Sequence, residues 1–273
     1  MQEQERIGYL PDLDRLSTLS ATILLAYALA RYIDLPGREI GLQLPGFYLS
    51  VTINSQTLVA YLVAGLTAAG ADWLIRDHPR LGRKSTLEHW LLPALTAWTI
   101  QLPLSQLPFS PWWWAGFALG GALLILVLLA EYIVVDPDDV RFPPAAAGLS
   151  VLSFALYLVL AAALRFSGQR LYLILPALAL AGGLVSLRAL HLRLRGEWAF
   201  LQAGLVALVT IQLAAGLHYW PLSPVSFGLA LLGPTYALTN LLGNLMEDEP
   251  PAQAVVEPLV VLILVWAAAI WLR

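Results

Sequence analysis

The chain has 273 residues, 59% of them hydrophobic and 12% charged, with a formal net charge of −3 and a mean hydropathy of +0.73. Soluble domains are about 45–50% apolar and about 25% charged, so a water-soluble fold is excluded and a bilayer must serve as part of the solvent. The slight acidity excludes the basic footprint of a nucleic-acid binder, and the lack of cysteine excludes disulfides, thiolate-bound clusters and a thiol nucleophile.

The N-terminal segment MQEQERIGYLPDLDR carries more acid than base, unlike the positive start of a signal peptide. The first apolar run, 16–33, is therefore read as a membrane helix that stays. Spanning a bilayer takes about 20 mainly apolar residues. Further runs of suitable length follow at 55–75, 87–104, 112–135, 145–166, 171–190, 198–217, 225–246 and 254–272. Connections between them are too short for a second domain. The expected fold is an all-α integral membrane protein, a polytopic bundle of about nine transmembrane helices in a single domain, 1–273. Continuity is weakest in the third run, with Pro93 and Pro103, and in the eighth, with Gly233-Pro234.

Segment 39–54 has a different period. Ile40, Leu42 and Leu44 alternate with other residues, and after Pro45-Gly46 so do Phe47, Leu49, Val51 and Ile53. Period two on both sides of a turn dipeptide predicts a short β-hairpin.

Orientation follows from basic residues, fourteen Arg and the single Lys84, an Arg-rich usage that suggests a bacterial genome. One side of the predicted topology holds Arg6, Arg15, Arg76, Arg80, Arg83, Lys84, Arg141, Arg188, Arg193 and Arg195. The other holds Arg31, Arg38, Arg165, Arg170 and Arg273. The positive-inside rule then places the N-terminus in the cytoplasm, and the expected location is the cytoplasmic membrane. The hairpin and Trp112-Trp113-Trp114 fall at the outer side, where indole rings favour the interface.

Ionisable groups within spans are costly and point by default to function or to a buried pair. Most of them gather toward the cytoplasmic end: Asp72, Glu88, His89, Glu131, Arg188, His191, Glu197 and Glu257. Each also has a plain structural reading. Asp72 and Arg76 are spaced as a helix-face pair, Glu88 and Glu197 complement helix N-termini, and arginines snorkel. Asp72 and Glu131 resist that reading because each lies a turn inside its apolar boundary. Asp72, Glu131, Arg188 and His89 are thus the candidate polar cluster, expected to share one compartment. His89 and His191 lie at one depth and are candidates for axial ligation of a haem.

Asp136-Pro137-Asp138-Asp139 resembles a cation or diphosphate motif, but its plainer reading is a solvated acidic loop. Gly233-Pro234 with Thr235, Thr239, Asn240 and Asn244 reads either as a broken helix lining a cavity or as a packed kink. Gly116 and Gly120 form a face suited to close helix packing.

No P-loop, no G-x-S-x-G and no zinc-ligand spacing is present. The first functional expectation is a non-enzymatic carrier of transporter type, or an accessory subunit of a membrane assembly, with the bilayer and other membrane subunits as partners. No cofactor or metal and no nucleic-acid partner is expected. The alternatives are an intramembrane enzyme acting on a lipid substrate at the cytoplasmic face, and a haem- or quinone-binding redox subunit.

Overall fold

The computed structural model describes residues 10–32, 37–44, 47–53, 55–82, 85–194 and 196–272. Ten helical segments follow in order: α1 Leu13–Ala30, α2 Ser55–Ile75, α3 Leu91–Gln106, α4 Pro111–Ile133, α5 Phe142–Phe166, α6 Leu171–Arg193, α7 Phe200–His218, α8 Pro224–Met246, α9 Pro251–Ala254 and α10 Val256–Trp271. A 3₁₀ turn, Leu87–His89, precedes α3. Among the described residues, eight stretches are long and apolar enough to cross a membrane, the last of them joining α9 and α10 as Pro251–Trp271. The chain is thus built as a multi-pass helical membrane protein.

Local sequence sets the helix ends. Asp12 caps α1 by accepting a hydrogen bond from the Asp14 N–H at 2.9 Å. Proline opens α4, α5 and α8 at positions where its missing N–H costs nothing. Between α1 and α2 the chain is extended, with β1 Arg38–Leu44 and β2 Phe47–Ile53 antiparallel and Gly41 opposite Ser50. Pro45-Gly46, expected to make the turn, lies outside the described residues.

The expectation of about nine spans needs a correction at α3. That helix has 16 residues, about 24 Å at 1.5 Å per residue, short of a hydrocarbon core about 30 Å thick. Proline is the cause. Pro108 forces Leu107 into extended geometry, φ −77° and ψ 135°, and ends the helix. Even so, the 3₁₀ turn and α3 together lie antiparallel along most of α4. His89 meets Glu131 near the end of α4, Ile100 covers Gly120, and the Leu104 carbonyl accepts from Trp113 Nε1 at 3.2 Å.

That path makes α3 the strut of the fold. It touches α2, α4, α5 and α6. Its Ala97, Ile100 and Leu104 join the apolar core of α1, α2 and α4, while Leu95 joins the core of α5, α6 and α8. Gly120 permits the close approach: a Cβ there would meet Ile100 at 2.6 Å.

Candidate acid–base pocket

Helical spacing carries two opposite charges inward. On α6 the buried stripe runs Ile174, Leu178, Ala181, Val185 and then Arg188. On α4 it runs Gly120, Leu124, Val127, Leu128 and then Glu131. The steps of three and four residues keep each set on one face. Arg188 is 2% exposed and Glu131 not at all.

The two charges answer each other. Arg188 Nε donates to Glu131 Oε1 at 3.1 Å, and an Arg188 terminal nitrogen donates to Oε2, a two-pronged, charge-assisted pairing. His89 Nδ1 lies 2.7 Å from the same Oε2. An ionised carboxylate only accepts, so Nδ1 carries a proton, and in the neutral ring Nε2 carries the lone pair. The 3.4 Å approach of Arg188 to Nδ1 then joins two donors and is incidental.

His191, one turn beyond Arg188, repeats the arrangement. Its Nδ1 lies 3.2 Å from the Glu197 carbonyl oxygen, which likewise only accepts. In the neutral ring Nε2 is then the unprotonated nitrogen, and the ring leans on Trp198 with centroids 4.4 Å apart. Glu88 stands between the two imidazoles, with Oε1 3.6 Å from His89 Nε2 and Oε2 3.8 Å from His191 Nε2. These groups wall a pocket of about 350 Å³ at one end of the bundle, completed by Leu81, Ser85, Val135, Pro137 and Phe142. That size is at the small end for ligand clefts. Among the described residues, no group of three or more His, Asp or Glu is arranged to hold a metal ion.

Of the candidates named from sequence, Glu131, Arg188 and His89 come together, and His191 joins them. Asp72 stands apart, its carboxylate taken by Arg76 Nε at 2.7 Å and by the Thr86 hydroxyl at 2.5 Å. Glu88, read from sequence as a helix-dipole residue, faces the pocket. Its position beside His89 and at His191's depth was a signal, but only the fold shows that one carboxylate reaches both rings.

The other polar features are committed elsewhere. Asp136 Oδ1 accepts from the Asp138 N–H at 3.1 Å and Asp136 Oδ2 lies 3.7 Å from Arg80. Arg141 pairs with Asp139 at 2.7 Å and holds its carboxyl below the usual range. His78, in the same loop region, has its pKa pushed down by burial; it packs edge-on to Tyr132, and its Nδ1 accepts from the Arg80 N–H at 3.1 Å.

Residues 35–272 match the model of a family described as a protein of unknown function (DUF5656). The chain belongs to that family. The match runs from the extended segment through α10 and takes in the whole pocket while leaving out α1. No curated protein and no solved structure matches.

Proposed function

We propose that the chain is an intramembrane enzyme performing acid–base chemistry, from one face of the bilayer, on the polar end of a lipid-like substrate. The His89 imidazole carries the reading. Glu131 holds Nδ1, Arg188 holds Glu131, and Nε2 is left toward a pocket shared with Glu88 and His191. A carboxylate-oriented imidazole with one nitrogen free is how general bases are built. Glu131, neutralised by Arg188, orients the ring and takes no proton itself.

Support for a carrier is weaker. The polar cluster together with α8 was the expected place for a carrier's cavity, and the polar groups of α8 already have protein partners. A groove of about 400 Å³ beside it is lined by Thr239, Asn240 and Arg193. Thr239 bonds Ser186 and the Thr235 carbonyl, Asn240 bonds the Tyr236 carbonyl, and Arg193 pairs with Glu247.

In this reading the 3₁₀ turn and α3 make a ninth crossing, the pocket opens to the cytoplasm, and the paired strands lie outside. The Arg and Lys bias favours that orientation. In a chain without cysteine, a cysteine at Ser85 should resist an impermeant thiol reagent in intact cells while one at Tyr219 reacts; the reverse pattern overturns it.

For the chemistry, the protein in nanodiscs of native membrane lipid is assayed by mass spectrometry for lipids consumed and formed. Turnover is expected, with a loss of about 10²–10⁴-fold in His89→Gln, the usual contribution of a general base. No turnover, or equal turnover by the variant, refutes the enzyme reading.

A further inference from the structure

The two tautomers fixed above have a consequence for what the pocket binds. His89 Nδ1–H is spent on Glu131 and His191 Nδ1–H on the Glu197 carbonyl. With both rings neutral, both Nε2 atoms present lone pairs, and both point at a carboxylate, which presents only lone pairs. At 3.6 and 3.8 Å these contacts are too long for direct hydrogen bonds. Three acceptors thus face a common space without a donor among them. Charge points the same way: Arg188 cancels Glu131, and with neutral imidazoles Glu88 leaves the pocket one negative charge in excess.

We propose that this pocket recognises a primary ammonium group, whose three N–H donors and single positive charge match His89 Nε2, His191 Nε2 and the Glu88 carboxylate. This deepens the reading of the site as acting on a polar head, and it rests on that reading only for the word substrate. A quaternary ammonium has the charge but no donors, and an alcohol has a donor but no charge. Neither satisfies the triad. Facing Glu88 are His89 on its own turn and His191 and Arg188 on α6, with Glu131 on α4 behind them.

The test uses the full chain in a neutral maltoside detergent, with octylamine and octyltrimethylammonium as probes and thermal unfolding as readout. At pH 8, octylamine near saturation should raise the melting midpoint by about 5 °C, and the quaternary analogue should not. The octylamine effect should vanish in Glu88→Gln. Should Glu88→Gln not fold, His191→Phe serves in its place, and the comparison of the two amines needs no variant. Equal responses to both amines, no response to octylamine, or a full response in the variants overturns the proposal. Turnover without amine preference sinks this inference alone, and amine preference without turnover sinks only the enzyme reading.

Discussion

The bundle has two polar interiors, and they are finished differently. In the α6–α7–α8 interior the threonines and Asn244 are paired. Thr210 and Thr235 share a 3.0 Å contact, Thr239 donates to Ser186 at 2.8 Å, and Asn244 donates to the Ala254 carbonyl at 2.8 Å. The proline position is paired too: Pro234 has no N–H for the Ala230 carbonyl, and Trp266 Nε1 from α10 supplies one at 3.2 Å. At the pocket, by contrast, the inner layer is closed by Arg188 and Glu131 while the outer layer of Glu88 and the two imidazole nitrogens faces a cavity. The pocket therefore differs from the α6–α7–α8 interior in facing a cavity with three polar atoms grouped together.

The comparison breaks most visibly at its closed inner layer. Glu131→Gln strands a buried guanidinium and should cost about 3–5 kcal/mol, a fall in melting temperature on the order of 10 °C. Replacing Glu131 and Arg188 together with Met should cost less than the single change, because no charge is left unpaired. Glu88→Gln, in the open outer layer, should leave the melting temperature close to wild type. A single Glu131→Gln as stable as Glu88→Gln contradicts the division into layers.

A smaller effect is expected in the glued interior. Trp266→Phe keeps the ring against Gly233 but removes the donor to Ala230, and should lower stability by about 1 kcal/mol. No measurable change would mean that the freed carbonyl finds another donor and that α8 is less tightly finished than described.

Helix existence was legible because it depends on apolar length, a local property. The shortness of α3 was less so, because it depends on Pro108 ending the helix after Gln106. For the site, the inward stripes ending in Glu131 and Arg188 were readable from spacing on each helix alone. Asp72 was misleading for the same reason, since its depth was legible while its actual partners, Arg76 and Thr86, lie back toward the helix end. Glu88 and the two imidazoles could not be joined from sequence, because nothing local sets the rotation of one helix against another.

The central claim is that His89 and His191 each hold a proton on Nδ1 and offer Nε2 to the pocket. The chain has four histidines, few enough for nitrogen-15 magnetic resonance of histidine-labelled protein in liposomes at pH 8, with His→Gln variants for assignment. His89 and His191 should show Nδ1 protonated and Nε2 bare, while His78, whose Nδ1 accepts from the Arg80 N–H, should show the opposite tautomer in the same sample. A proton on Nε2 of His89 or of His191, with Nδ1 bare, would contradict the account.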